Sequence, residues 1–296
     1  MNYIVLDLEW NQPQDERSTI REPFFFDSEI IEIGAIRLNE NFEGADSFTT
    51  YVKPKYYTTV NSSVIRLTKI RSSLLEEATA FPQALRSFLD WCESPCCLCT
   101  WGKTDASVLF DNILMHGVEM TDELYFCDLQ RVFGREIMKD ERQCSLENAI
   151  GMMNLPKDRA HDALNDARNT VRICERMNLA GYIDEYRYRY VCYAEDRLRG
   201  LKDGKLLPST ASGMDDDELS TMICPYCGET LRFSDWAARR GGWFGYARCT
   251  EGDEYLCTLK RRHSGEDYLY SRGVYEMSDD LWDQYQIAMD EGGRSK

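Results

Sequence analysis

The chain has 296 residues, of which 43% are hydrophobic and 12% aromatic, so it can form two folded domains and is not intrinsically disordered. Its formal net charge of −16 argues against tight, nonspecific binding to duplex nucleic acid, because phosphate binding normally requires a basic surface. Carboxylates that bind divalent cations would supply positive charge locally, so the charge does not exclude a phosphodiesterase that holds a short single-stranded end.

The N-terminal residues and the cysteines both give information on the cellular location of the protein. The segment MNYIVLDLEWNQ has no basic region, and no apolar run approaches the roughly 20 residues that a membrane span needs. We therefore expect a cytoplasmic protein with no membrane contact. In the reducing cytosol, the twelve cysteines are better interpreted as free thiols or metal ligands than as a disulfide framework.

Strand and helix patterns alternate along the first part of the chain. Apolar, β-branched runs predict strands at residues 3–10, 29–39, 46–54, 96–101 and 124–129. Apolar residues at helical spacing predict helices at residues 81–92, 104–117, 129–138, 145–156 and 162–177. We expect a Thr104/Asp105 cap on the second of these helices and a Ser145 cap on the fourth. Three strands followed by alternating helices and strands predict an α/β fold in which helices flank a mixed sheet.

The composition changes twice after this region. From about residue 181 the chain becomes rich in Tyr, Arg, Asp and Glu, which predicts a connecting helix followed by the acidic linker MDDDEL. Beyond residue 220 it is rich in Cys, Gly and aromatic residues. We therefore predict an α/β domain at 1–180, a helical connector and acidic linker at 181–220, and a small, zinc-ribbon-like β-rich domain at 221–296.

Two carboxylates lie on the first predicted strand. Asp7 and Glu9 are two residues apart, so their side chains project from the same face of the strand, roughly 7 Å apart along it. The flanking apolar residues indicate that the strand is largely buried. Because two like charges in a buried strand are costly unless a cation neutralises them, the pair is a candidate metal site.

Three more polar residues lie where later helices begin. Asp105 stands where a strand gives way to a helix, a position that suits either a helix cap or a site residue. His161 lies in the loop before the last helix, and Asp166 lies within its first turns. A spacing of five does not place two residues on one helical face, but it allows a loop residue and a first-turn residue to converge on one point.

This ordered set of D-x-E, a helix-opening Asp and H-x-x-x-x-D resembles the DEDDh family of 3′-to-5′ exonucleases, a branch of the ribonuclease H-like superfamily. The likeness extends to EIIEIGAI, to LTKI followed by FPQALRSFL, and to TWGKTDASVL, which occur in the family's order. RAHDALNDARNTVRI is most similar to the branch that trims histone messenger and small-RNA 3′ ends. The resemblance covers roughly residues 1 to 180.

The resemblance implies a specific chemistry. Asp7, Glu9 and Asp166 would hold two Mg²⁺ or Mn²⁺ ions, with Asp105 contributing directly or through a bound water. These hard cations prefer oxygen ligands. His161 would be the general base that removes a proton from the attacking water. The partner would be the single-stranded 3′ end of a nucleic acid, and the products would be nucleoside 5′-monophosphates.

The residues after D-x-E depart from the family pattern. Many members have a small or hydroxyl residue there that contacts the terminal nucleotide, whereas this chain has Trp10 and Asn11. Trp10 would either stack on the terminal base or belong to the core. The RNA-trimming resemblance favours RNA or short single strands. A DNA proofreading or repair exonuclease, and a noncatalytic nucleic-acid-binding scaffold of the same fold, are the alternatives.

Four cysteines of the last segment form a candidate zinc site. Cys224 and Cys227 lie in CPYCGE, a zinc-knuckle sequence whose glycine relieves the turn. Cys249 and Cys257 would complete a tetrahedral structural Zn²⁺ site, although seven residues separate them where a zinc ribbon normally has two to four. Cys257 is alternatively a strand residue that faces the core, and His263 is another conceivable fourth ligand.

Basic and aromatic residues surround this zinc knuckle. They predict either a single-stranded nucleic-acid platform or an aromatic core with a solvated basic face, so this domain is a candidate contact for nucleic acid or protein. The residues are Trp236, Arg239, Arg240, Trp243, Phe244, Tyr246, Arg248, Lys260, Arg261 and Arg262.

Overall fold

A computed structural model describes residues 1–120, 124–139 and 142–292. The chain divides into two compact units, Met1–Arg187 and Tyr188–Lys296. Among the residues that the structure describes, we find no helix with the length and apolar character needed to cross a membrane.

The first unit is built on a mixed sheet. Its strands are β1 (Asn2–Asn11), β2 (Glu29–Leu38), β3 (Gly44–Lys53), β4 (Thr79–Ala80), β5 (Cys96–Thr100), β6 (Leu124–Asp128) and β7 (Arg187–Tyr188), the last of which spans the boundary between the units. They lie in the order β4-β3-β2-β1-β5-β6-β7. β1 pairs antiparallel with β2 and parallel with β5, so it lies at the centre and both its neighbours supply hydrogen bonds. The predicted α/β fold with a mixed sheet is confirmed.

Helices pack against this sheet. They are α1 (Ser62–Thr68), α2 (Ser72–Leu75), α3 (Phe81–Cys92), α4 (Thr104–Met115), α5 (Leu129–Phe133), α6 (Leu146–Met152), α7 (Ala163–Cys174) and α8 (Ile183–Tyr186). Short 3₁₀ turns lie at Glu16–Ser18 and Leu179–Gly181, and a π turn lies at Gly134–Met138. α3 has the predicted bounds and buries the apolar face that its sequence periodicity defined.

The position of α7 determines which face of β1 carries the site. Ala167 and Val171 of α7 belong to one hydrophobic cluster with Val5 of β1. Because side chains two residues apart on a strand share a face, Asp7 and Glu9 project to the same side as Val5. The carboxylates of β1 therefore extend along the face that α7 covers.

Two predicted helix caps have different outcomes. Ser145 caps α6 as predicted, since its Oγ accepts a hydrogen bond of 3.2 Å from the Asn148 N–H. The predicted Thr104/Asp105 cap is wrong, because α4 has no side-chain cap hydrogen bond and Asp105 lies within its first turn. Asp105 is bonded elsewhere, to the backbone of β1.

The second unit is rich in β-structure. Its strands are β8 (Lys205–Leu207), β9 (Thr221–Ile223), β10 (Thr230–Arg232), β11 (Ser234–Arg239), β12 (Gly242–Arg248), β13 (Glu254–Ser264) and β14 (Asp267–Glu276). They form a five-stranded sheet in the order β11-β12-β13-β14-β8 and a separate β9-β10 hairpin. The helices are α9 (Tyr193–Leu198), α10 (Asp217–Ser220) and α11 (Asp279–Gly292).

The segment predicted as a helical connector and exposed linker differs from the structure. Residues 188–220 belong to the second unit, and β8 pairs with β14 as an edge strand of its sheet. Leu207 and Leu219 are buried in one cluster with Tyr270. Apolar residues spaced among acidic ones thus anchor a segment whose composition suggested a linker, because burial depends on individual side chains and not on average polarity.

Candidate active site

The carboxylates of β1 face those of its neighbour strand. Asp7 lies opposite Gly34 of β2, and Glu9 lies opposite Glu32. The pairing shifts by one residue between Glu9 and Trp10, which marks a β-bulge. Bulges are common beside active sites, where they redirect a side chain. The bulge separates the two carboxylates, which continue the regular strand, from Trp10.

His161 and Asp166 converge at the start of α7. The His161 N–H donates a hydrogen bond of 2.7 Å to Asp166 Oδ2, and His161 has a positive φ of 61°. Ligand atoms of Glu9, His161 and Asp166 all lie within 4.8 Å of one another. The turn therefore brings the exposed imidazole next to two carboxylates, one from α7 and one from β1.

Asp105 links α4 to the same strand. Its Oδ1 accepts a hydrogen bond of 3.1 Å from the Leu8 N–H, and the side chain is buried. Leu8 lies between Asp7 and Glu9, so this bond holds a third carboxyl group beside the first two. A helix residue 97 positions away is thus fixed to the carboxylate strand.

Burial is the largest cause of the raised carboxyl pKa values in this cluster, and repulsion between the carboxylates adds to it. Burial raises the pKa of Asp7 well above its usual value, and the charges of Asp105, Asp166 and Glu9 raise it further. Burial likewise raises the pKa of Glu9 to about 8, with Glu32 as the strongest charged neighbour. Burial also raises the pKa of Asp105 to about 7. Ionisation of these carboxyl groups therefore concentrates negative charge in a small volume. Oxygen ligands in this arrangement fit hard divalent cations.

These shifts predict how stability without metal depends on pH. Carboxyl groups titrate near 4 in an unfolded chain, whereas Glu9 and Asp105 have pKa values of about 8 and about 7 in the fold. Between about pH 4 and pH 8 the folded state binds more protons than the unfolded state, so the free energy of unfolding falls as pH rises. We expect the chelator-treated protein to unfold at lower urea concentration at pH 8 than at pH 5. Stability that instead rises across this interval would contradict the raised pKa values of Glu9 and Asp105.

A family model described as Exonuclease, of the ribonuclease T type, matches residues 4–174. The chain belongs to this exonuclease family. It is 28% identical over 167 residues to 3′-5′ exoribonuclease 1 of Rattus norvegicus, covering 52% of this chain and 48% of the relative. Its identity to 3′-5′ exoribonuclease 1 of Homo sapiens is also 28%, over 164 residues that cover 51% of this chain and 47% of the relative. The chain thus aligns with about half the length of these curated relatives.

Solved structures agree with the family. A full-length 3′-exonuclease superposes with a TM-score of 0.52 at 25% identity, covering 61% of this chain and 82% of that one. The nuclease domain of 3′hExo, a DEDDh family member bound to rAMP, superposes with a TM-score of 0.52 at 26% identity, covering 61% and 92%. The predicted DEDDh resemblance and the ribonuclease H-like fold are confirmed.

Glu32 is a fifth carboxylate beside the candidate site, and the sequence reasoning missed it. It is buried, and its Oε2 accepts a hydrogen bond of 3.3 Å from the Ala163 N–H at the start of α7. Burial raises its pKa to about 7. Glu32 therefore connects β2 to the helix that carries Asp166. The available signal was a charged residue inside the otherwise apolar run IIEIGAI.

Gly34 is the second residue that the sequence reasoning missed. A Cβ atom there would lie 2.2 Å from both Ala163 C and Leu164 N. The backbone of α7 thus approaches β2 at a distance that only glycine permits. A glycine inside a buried strand is a known sign of close backbone approach, and this was the available signal.

The two residues that follow D-x-E have different environments. Asn11 is fully buried, and its amide nitrogen donates to Tyr57 O at 2.7 Å and to Thr59 O at 3.1 Å. Its Oδ1 accepts from the Asn61 N–H at 2.8 Å. The prediction that Asn11 binds substrate is therefore corrected, because its hydrogen-bonding groups hold the 57–61 loop. Trp10 is half-buried and stays a candidate for substrate contact.

Three of the four predicted zinc ligands come together in the second unit. The sulfurs of Cys224, Cys227 and Cys249 lie within 4.8 Å of one another. Cys257 is fully buried in β13 and lies outside this group, so its prediction as a ligand is corrected in favour of its alternative as a core residue. His263 is also outside it, exposed on β13 with its ring against Tyr268.

Most aromatic residues around the zinc knuckle belong to the core. Phe244 is buried with Leu256 and Tyr285, and Trp236 packs against two hydrophobic clusters. The basic residues of the predicted platform all remain exposed, namely Arg239, Arg240, Arg248, Lys260, Arg261 and Arg262. The last three form a continuous basic stretch near the end of β13. Within this stretch, the Arg261 guanidinium lies 4.3 Å from the centre of the Tyr268 ring and 5.2 Å from that of Trp243.

Proposed function

We propose that this chain is a metal-dependent 3′-to-5′ exonuclease that acts on RNA or other short single strands and releases nucleoside 5′-monophosphates. The observation that carries the proposal is the convergence of Glu9, His161 and Asp166 within 4.8 Å, beside Asp7 and the buried Asp105. The names of the curated relatives, 3′-5′ exoribonuclease 1, support both the polarity and the preference for RNA.

The four acidic residues of the DEDD set would hold two Mg²⁺ or Mn²⁺ ions. Their oxygens suit these cations, and their mutual repulsion is the energetic reason to bind them. When bound, divalent ions supply Lewis-acid charge that stabilises the transition state of phosphodiester hydrolysis. The residues are Asp7, Glu9, Asp105 and Asp166.

His161 accepts the proton of the attacking water in this proposal. Its ring is exposed and can therefore reach a water beside the scissile phosphate. The hydrogen bond from its own backbone N–H to Asp166 fixes the turn on which the ring stands.

Two further contacts with the substrate belong to the proposal. Trp10, half-buried after the bulge, would stack on the terminal base, as aromatic side chains do in single-strand binders. The exposed Lys260, Arg261 and Arg262 are a candidate contact for the strand's phosphates or for a protein.

Oligonucleotides of equal sequence, as RNA and as DNA, test this proposal. Each is labelled at its 5′ end and incubated with Mg²⁺ or Mn²⁺. We expect a ladder that shortens from the 3′ end, faster for RNA, and a decrease of about 10²- to 10⁴-fold with His161→Ala, the usual contribution of a general base. His263→Ala, another exposed histidine, is the matched control and should retain full activity.

The possible results separate the alternatives. A DNA rate that exceeds the RNA rate would replace the ribonuclease proposal with a DNA proofreading or repair exonuclease. Failure to cleave either strand, with divalent metal bound, would favour a noncatalytic scaffold. A rate that His161→Ala leaves unchanged would remove the general-base role while keeping the enzyme.

We also propose that Cys224, Cys227 and Cys249 hold a structural Zn²⁺ ion in the second unit. Support comes from the grouping of their sulfurs and from soft thiolate ligands, which zinc prefers to the oxygens that suit Mg²⁺. Zinc would fasten the β9-β10 hairpin to the turn between β12 and β13. We expect about one equivalent of zinc in the purified full-length protein, measured by elemental analysis.

A further inference from the structure

We infer that Asp253 is the fourth ligand of the zinc site, so that three cysteines and one aspartate bind the ion in place of the four cysteines of an ordinary zinc ribbon. This inference rests on the zinc ion proposed above. It identifies a residue that sequence spacing did not indicate, because the residue is a carboxylate among cysteines and lies four positions after Cys249.

The Asp253 carboxylate lies against two of the three sulfurs. Its Oδ2 is 3.1 Å from Cys249 Sγ and 3.7 Å from Cys224 Sγ. Zinc bonds of about 2.3 Å to sulfur and about 2.0 Å to oxygen, at tetrahedral angles, separate neighbouring ligand atoms by about 3.5 Å. The two observed distances lie on either side of this value. The oxygen therefore lies where one metal would bind it together with the sulfurs of Cys249 and Cys224. Asp253 is outside the group that these two sulfurs form with Cys227 within 4.8 Å, so its carboxylate must move toward Cys227 when the ion binds.

Two similar turns supply the four ligands. The turn after β9 is closed by a hydrogen bond of 3.0 Å from the Gly228 N–H to Cys224 O, and the turn after β12 by one of 3.1 Å from the Gly252 N–H to Cys249 O. Both glycines have a positive φ, 75° and 103° respectively. The fold thus presents the cysteines on paired turns of the kind that hold zinc.

Backbone N–H groups are directed at the sulfurs within these turns. The Asp253 N–H donates to Cys249 Sγ at 3.2 Å, and the N–H groups of Tyr226 and Cys227 donate to Cys224 Sγ. The Tyr255 hydroxyl lies 3.0 Å from the same Cys224 sulfur. Donors of this kind orient metal-bound thiolates and hold them in place. The surroundings of the site are therefore already arranged for zinc.

The geometry of β13 explains why Asp253 and not Cys257 reaches the metal. Asp253 lies at the end of the turn, and Tyr255, the next residue on its side of the strand, contacts the Cys224 sulfur through its hydroxyl. Cys257 lies two residues further along, roughly 7 Å beyond Tyr255. Its charged neighbours are Arg272 and Asp196, in the interior of the unit. Cys257 thus belongs to the same buried cluster as Cys224 and Cys249, but its sulfur lies outside the group that they form with Cys227.

Zinc content and a cobalt spectrum of the full chain test the assignment. We expect Asp253→Asn to weaken zinc binding at least about tenfold in competition with a chromophoric chelator, and Cys257→Ala to leave it unchanged. With Co²⁺ in place of zinc, Asp253→Cys should raise the thiolate-to-metal charge-transfer absorbance by about one third, because the thiolates increase from three to four. This gain of signal does not depend on whether Asp253→Asn folds.

The outcomes distinguish the two proposals. Wild-type protein that folds without zinc would overturn both the zinc site and its fourth ligand. Zinc that is retained equally by wild type and Asp253→Asn, with no increase in the cobalt spectrum of Asp253→Cys, would overturn the role of Asp253 alone. Loss of zinc in Cys257→Ala but not in Asp253→Asn would replace the inferred site with one of four cysteines.

Discussion

We expect Asp7→Asn to abolish shortening of the oligonucleotide while making the metal-free protein more stable. The substitution removes the charge on which Asp105, Asp166 and Glu9 all act, and it keeps the size of the side chain. Activity should fall by about a thousandfold or more, which corresponds to an increase of about 4 kcal/mol in the activation free energy. At pH 8, removal of this charge repulsion should increase the free energy of unfolding. Each kcal/mol gained should raise the unfolding temperature by about 2–4 °C for a unit of this size.

The same variant tests metal binding without any measurement of activity. In the wild type, Mn²⁺ should raise the unfolding temperature, because a ligand that binds only the folded state stabilises it. Asp7→Asn should lose most of this increase. Asp90→Asn, an exposed carboxyl on α3, is the matched control and should change neither property. A variant that is inactive yet destabilised without metal, or that keeps the Mn²⁺ effect, would contradict the electrostatic account of the site.

We expect Gly34→Ala to displace α7 from the sheet of the first unit. The new Cβ would lie 2.2 Å from the backbone of α7, and backbone cannot rotate away as a flexible side chain can. The helix must therefore move, which should cost about 1–3 kcal/mol as an overpacked core does. Because Asp166 and His161 lie at the start of α7, the displacement should also lower activity by at least about a hundredfold.

Gly151→Ala is the matched control for this substitution. Gly151 lies in α6, where an added Cβ meets no atom within 4 Å, so alanine should stabilise the helix by about 0.5–1 kcal/mol and leave activity unchanged. The two variants are compared by urea unfolding and by the initial rate of oligonucleotide shortening. Gly34→Ala protein with wild-type rate and stability would show that α7 can move without disturbing the site.

Local patterns were sufficient for most elements of the first unit. Period-2 and helical spacings located β1, β5, β6 and α3, because their burial depends on which face of the element is apolar. The same reasoning failed between residues 181 and 220, where a few buried leucines outweigh an acidic composition. It also left Asp105 open between a helix cap and a site residue, since a cap and a bond to another strand require the same residue type.

Short local patterns determine the chemical character of the candidate site. These patterns are D-x-E on a strand, and a histidine and aspartates at helix starts. Residues of these types suit metal-dependent hydrolysis. Which other groups join them depends on the packing of distant elements. Glu32 reaches the site across a strand pair, Gly34 admits the backbone of α7, and Asp253 meets Cys224 from an opposite turn. These relations join residues that are far apart in the chain or irregularly spaced, and such contacts arise from packing between elements, which no local periodicity encodes.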